Sequence, residues 1–178
     1  GAPRLSKSKR KKRAGPDAPQ AFVNFDDPHV ALPHVGMTHQ LCAELCSVIV
    51  YNDRVTSLDL SHNDLGDEGA EVLAKLMSQK KNVLALNVSH NGITDAGVVL
   101  LMRAARKHRT LQSLSIASND VGDASILEVT RLVELSDCIT ELVLMDTKVT
   151  VRGTLALAQA MISNESLIYV SLPYTLGC

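Results

Sequence analysis

The sequence predicts an α/β solenoid, a stack of strand–turn–helix units with parallel strands on the concave face and helices on the convex face. Three observations carry that prediction. A pattern of six apolar slots returns every 28 residues without insertion. Inside each unit the apolar spacing changes from alternation, as in a strand, to roughly helical spacing. Hydrophobic residues make up 46% of the chain while aromatics are 3% and Trp is absent. The core is therefore Leu, Val, Ile and Ala, which suits repetitive packing.

The repeat begins at Leu58-Asp-Leu60-Ser-His-Asn63-Asp-Leu65. It returns as Leu86-Asn-Val88-Ser-His-Asn91-Gly-Ile93, as Leu114-Ser-Ile116-Ala-Ser-Asn119-Asp-Val121, and as Leu142-Val-Leu144-Met-Asp-Thr147-Lys-Val149. Val170-Ser-Leu172 starts one more. The slot three residues earlier holds Val55, Val83, Leu111, Ile139 and Leu167. The pairs 58/60 and their equivalents alternate inward and outward as strands do. Leu65, Ala70, Leu73 and Leu76 then follow at helical spacing, as do Ile93, Val98, Leu101 and Ala104.

The string L-x-x-L-x-L-x-x-N-x-L, followed by x-D-x-G, resembles the ribonuclease-inhibitor-like leucine-rich repeats over about residues 55–172. The resemblance implies a right-handed solenoid that works as a non-catalytic interaction scaffold. It also implies an Asn ladder, with Asn63, Asn91 and Asn119 satisfying backbone groups inside the turns, where unpaired donors and acceptors are costly. Thr147 departs from the pattern, so a looser fourth turn is expected. Gly69, Gly97 and Gly153 match the small residue that lets the helix approach the sheet; Ser125 is a mild departure and Val151 replaces the Asp. Asp67 and Asp95 place acid in the first helical turn, where the helix dipole favours it. Thr94 and Thr150 are N-cap candidates.

Three regions are expected: a basic, extended tail over 1–27, a degenerate capping repeat over 28–54, and the repeats over 55–178 with a truncated last unit. In the cap, Val30 and Leu32 take the strand slots, Met37 that of Leu65, Leu45 that of Leu73 and Val48 that of Leu76, with a helix near 38–50 begun by Thr38. At the other end a strand starts at Val170, Pro173 intervenes, and no capping helix follows. An apolar edge there would invite another chain.

Charge is divided unevenly. Residues 1–13 carry Arg4, Lys7, Lys9, Arg10, Lys11, Lys12 and Arg13 and no acid, a net +7. The remainder holds eleven bases against nineteen acids, a net −8. The tail fits an RNA-binding arm, a nuclear import signal, a solubilising tail or a remnant of a mitochondrial targeting region. No run of about 18 apolar residues exists to cross a membrane. No secretory signal follows the basic start, and Cys42, Cys46, Cys138 and Cys178 are unevenly spaced, which points to a reducing intracellular compartment. A mitochondrial location is favoured over nucleus or cytoplasm and cytoskeleton.

No phosphate loop, Cys-x-x-Cys pair or nucleophile elbow is present, so no enzyme is expected and no cofactor. The predicted protein-binding surface is the concave face, with Asp59, Asn87, Ser115 and Glu141 on a floor of small residues and Val143, Met145 and Tyr169 as an apolar cluster near the open end. Lys75, Lys80, Lys81, Arg103, Arg106, Lys107, His108 and Arg109 form a ridge at the helix ends. It reads as dipole complementarity and solubility, with phosphate binding the sharper alternative. His39, Cys42 and Cys46, with His34, could form a zinc site, but two Cys at i, i+4 more often belong to a buried stripe. His62 and His90 repeat as a feature of the turn, not as ligands, and no metal is expected. The expected role is a structural subunit of a large intracellular assembly. Its partners would be protein subunits at the concave face and open edge, and RNA at the tail, as in a ribonucleoprotein such as an organellar ribosome. A cytoskeletal or axonemal scaffold, or a signalling adaptor, without nucleic acid is the alternative.

Overall fold

The computed structural model describes residues 23–172. The basic run 4–13 and Cys178 lie outside them. Strand and helix alternate throughout: β1 (His29–Ala31), α1 (His39–Ile49), β2 (Ser57–Asp59), α2 (Gly66–Gln79), β3 (Ala85–Asn87), α3 (Asp95–Lys107), β4 (Ser113–Ser115), α4 (Asp123–Leu135), β5 (Glu141–Val143), α5 (Val151–Met161) and β6 (Tyr169–Ser171). All six strands are parallel and pair in sequence order. The register is the sequence repeat itself: Leu58 lies beside Leu86, Leu114 beside Leu142, and Val30 beside Leu58. Packed helices need 8–10 Å each, whereas strands need about 4.8 Å. A stack with strands on one side and helices on the other must therefore curve, with the sheet inside.

The core fills the space between the layers. Leu58, Leu60, Leu65 and Leu73 and their equivalents in the three repeats that follow are buried, and so are Val55, Val83, Leu111 and Ile139; Leu45, Val170 and Leu172 in the end units are half-buried. The 28-residue pattern thus marks core positions. Thr94 and Thr150 cap α3 and α5, accepting from Ala96 N at 3.3 Å and Arg152 N at 3.2 Å. Thr38 precedes α1 in extended backbone but makes no side-chain cap bond.

The capping helix differs from its reading in the sequence. Val48 is 52% exposed and Leu45 half-buried; the buried residues are Cys42, Cys46 and Ile49. Among the described helices only α2 lies against α1. The outer side of α1, with Leu41 and Val48, therefore has no helix to lie under. The thiols of Cys42 and Cys46 sit 4.0 Å apart in the core. The bond between the two thiols lowers the Cys42 pKa, while that bond and burial raise that of Cys46. Among the described residues no group of three or more metal-ligating side chains converges.

Candidate functional site: the sheet face and its ladders

Each strand is three residues long, so its two outward side chains are set by pairing alone. The register lines them into two rows across the stack. One runs Ser57, Ala85, Ser113, Glu141, Tyr169; the other runs Asp59, Asn87, Ser115, Val143, Ser171. The predicted contact residues Asp59, Asn87, Ser115, Glu141, Val143, Met145 and Tyr169 are thereby brought onto one face. Their chemistry changes along it. From β2 to β4 the floor bonds to itself: Ser89 Oγ donates to Asn87 Oδ1 and meets Ser115 Oγ, both at 2.7 Å, and Asp59 Oδ1 accepts from Ser61 N at 3.0 Å. Ser113 Oγ donates to Glu141 Oε2 at 2.7 Å. From β5 onward apolar side chains join the face, with Val143 half-buried, Met145 exposed and Tyr169 54% exposed.

The rim of this face is a row of left-handed residues. His34, His62, His90, Ser118 and Asp146 have φ between 52° and 57°. The first three stack ring on ring, with centroids 4.0 Å apart and interplanar angles of 19° and 15°. The pKa of His62 is lowered by desolvation and then by His34 and His90, against a smaller opposing pull from Asp59.

Beneath the rim lies the Asn ladder, which spans repeat boundaries as well as its own turns. Asn119 Oδ1 accepts from Asn91 N and Ile93 N of the preceding repeat at 3.0 and 3.1 Å, and its Nδ2 donates to Val88 O, Ile116 O and Ala117 O. Asn63 does the same with Val35 N, Met37 N and Leu32 O. Thr147 donates to Leu144 O of its own repeat at 2.9 Å. Asn91 is the exception within the ladder: its Nδ2 reaches Leu60 O and Ser89 O, but its buried Oδ1 has no partner. At that turn Gly66 takes the slot that Thr38, Thr94, Gly122 and Thr150 hold elsewhere. With φ 59° it redirects the turn, so that its own N–H donates to Asn91 O at 3.0 Å.

Two further sets of inter-repeat bonds were not foreseen. Asp67 Oδ1 accepts from Thr94 N and Gly97 N at 2.8 and 3.1 Å, and its Oδ2 accepts from Thr94 Oγ1 at 2.7 Å. Asp95 accepts likewise from Gly122 N and Ser125 N, and Asp123 from Thr150 N. These acids tie to the next helix start as well as facing their own helix dipole; bonds from Thr150 lower the Asp123 pKa. The small residue has a corresponding role. A Cβ on Gly97 would lie 2.5 Å from Asp67 Oδ1, 2.7 Å from Ile93 Cγ2 and 3.0 Å from Ala70 Cβ, so it makes room for the preceding helix as well as for the core side chain of its own turn. At the helix ends, Lys80 Nζ donates to Asn52 O at 2.5 Å and His108 Nε2 bonds Lys80 O at 2.9 Å. Both are buried, which lowers their pKa values. Lys80 and His108 therefore leave the basic ridge and act as turn ties.

A family model described as Leucine Rich repeat matches residues 52–74, 79–102 and 107–128. With the 28-residue register of strands and Asn ties, the match identifies these units as leucine-rich repeats. Among curated proteins it is similar to the NACHT, LRR and PYD domains-containing protein 3 of Rattus norvegicus, 39% identical over 70 residues. The match covers 37% of this chain and 7% of that much longer protein. Among solved structures it resembles the leiomodin-1 actin-binding site 2, with a TM-score of 0.65 at 17% identity over 77% of this chain and 80% of that one. It also resembles the tropomodulin C-terminal domain of Caenorhabditis elegans, with a TM-score of 0.63 at 18% identity over 73% and 81%. At such identities the likeness is one of fold.

Proposed function

We propose that the chain is a non-catalytic scaffold that grips a partner protein on its sheet face, as a structural subunit of a larger assembly. The observation that carries this reading is the change along that face. The floor from β2 to β4 satisfies its own polar groups and lets a partner approach closely. The step at Val143, Met145 and Tyr169 supplies apolar anchors beside it, with Glu141 and Ser115 between. Exposed aromatic and Met side chains on a rigid floor are the usual carriers of interface energy. The test is photocrosslinking from a benzophenone side chain at position 169 of the full chain in its source cells. One recurrent protein partner is expected, lost with Met145→Asp. Crosslinks that survive this change, or that arise equally from an exposed helix position such as 158, would overturn the reading.

The assembly itself has two candidates. A cytoskeletal one draws support from the fold likeness to an actin-binding site of leiomodin-1. A ribonucleoprotein, with Arg4, Lys7, Lys9, Arg10, Lys11, Lys12 and Arg13 on RNA, rests on the seven bases and no acids of residues 1–13; a mitochondrial location belongs to that second reading. Co-sedimentation with actin filaments that persists when the tail lysines and arginines are neutralised supports the first. Salt-dependent RNA affinity lost with those same changes supports the second.

A further inference from the structure

The outer surface of α3–α5 carries two rows of side chains, one apolar and one basic. One slot holds Ala43, Glu71, Val99, Leu127 and Leu155 in successive helices. Glu71 shows that a polar residue fits there, yet Leu127 and Leu155 are 57% and 66% exposed. One helical turn further on, the slot holds Ser47, Lys75, Arg103, Arg131 and Gln159. Arg103 and Arg131 do not wave freely. Glu128, its side chain 9% exposed, meets Arg131 Nη1 at 2.9 Å, Arg106 Nη1 at 3.3 Å and Arg103 Nη2 at 3.5 Å. Three guanidiniums on one carboxylate leave an excess of two positive charges, held in place beside the leucines.

We propose that this face docks an acidic amphipathic helix of a partner protein, with Leu127 and Leu155 meeting its apolar stripe and Arg103 and Arg131 its carboxylates. The spacing fits. Neighbouring solenoid helices lie about 10 Å apart, close to the ~10.5 Å between residues i and i+7 of a helix laid across them. The leucine and arginine rows are one turn apart, about 5–6 Å, which matches adjacent faces of the same partner helix. The chemistry also selects the occupant. An anionic bilayer would meet the net −8 of the chain beyond its basic tail, whereas a single helix meets only the local cations. A second copy would bring the same arginines to the interface.

The test uses the full chain and a fluorescent synthetic helical peptide with Leu at every seventh position and Glu three residues after each. Binding is read by fluorescence anisotropy. Saturable binding is expected, weakened about tenfold by Leu127→Ser with Leu155→Ser. It should also weaken with Arg103→Glu and with rising salt, and be absent for the same peptide with Lys in place of Glu. Unchanged unfolding midpoints confirm that the surface variants keep the fold; Arg103→Glu stands alone if the double serine variant does not. Binding indifferent to both the leucine and the arginine changes, or lost only when Lys9, Arg10, Lys11, Lys12 and Arg13 are neutralised, overturns the proposal. So does leucine-dependent binding to phosphatidylserine vesicles without peptide binding, or a dimer in light scattering that the double serine variant dissolves.

Discussion

At the turn before α4, Asn119 ties two backbone N–H groups and a carbonyl of the preceding repeat to its own; at the turn before α5, Thr147 reaches only Leu144 of its own repeat. The strands beside these turns differ in the same sense. Asn87, Ser89 and Ser115 bond among themselves, whereas Val143, Met145 and Tyr169 offer apolar surface. One backbone template thus carries a self-satisfied half and a half that presents surface, and the exchange of single side chains separates them. The repeat sets the path of the chain; the cross-boundary ties set how firmly each turn is held.

Three measurements can break or sharpen that comparison. The largest effect is expected from Asn119→Ala, which strips five hydrogen bonds from a buried turn and should cost about 3 kcal/mol or more. Asn91→Ala should cost less, about 1–2 kcal/mol, because its Oδ1 is already unpartnered and only two bonds are lost. Thr147→Ala should cost below about 1 kcal/mol. Urea unfolding of the full chain measures all three, and equal costs for Asn91 and Asn119 would remove the distinction. Next comes Gly97→Ala, whose Cβ would collide with Asp67 Oδ1 and Ala70 Cβ, for about 1–3 kcal/mol. The change should show as a lowered melting midpoint. The smallest effect is a pH slope. The His62 pKa is lowered, chiefly by desolvation and then by His34 and His90. Below the unfolded value of about 6.5 the unfolded chain binds the proton more readily, so stability is full above that pH and declines as pH falls toward the folded value. His62→Asn, which tolerates the left-handed backbone, should flatten the slope. An unchanged pH profile would show that the imidazole stack is electrostatically idle.

The alternation of strand and helix was legible because the apolar slots stay in phase every 28 residues, and the resemblance to leucine-rich repeats supplied the Asn ladder. The core of the cap was misread. Phase alone put Leu45 and Val48 inward, but burial also needs a neighbouring helix, and the first unit lacks one on its outer side among the described residues. Lys80 and His108 were misread for a different reason. The slot passes through Asn52, Lys80, His108, Ser136 and Asn164 with no single residue type, although all but Ser136 bond a carbonyl of the preceding unit, and a lysine near a helix end ordinarily signals solvent. Asp67 and Asp95 were visible as acids at a helix start; that they, like Asp123, serve the next repeat as well requires knowing how far its backbone lies. The face holding Asp59, Asn87, Ser115, Glu141, Val143, Met145 and Tyr169 followed from alternation alone, whereas the clustering of three arginines on Glu128 depends on side-chain reach between helices.

The Asn, Asp and helix-end ties all span a boundary between repeats 28 residues apart. Under tension applied along the chain, they would therefore fail as sets, one boundary at a time. Each released repeat would pay out about 95 Å of extended chain. The solenoid would behave as a ratcheted extensible link, with its first yielding step at the boundary that Thr147 leaves without an Asn tie.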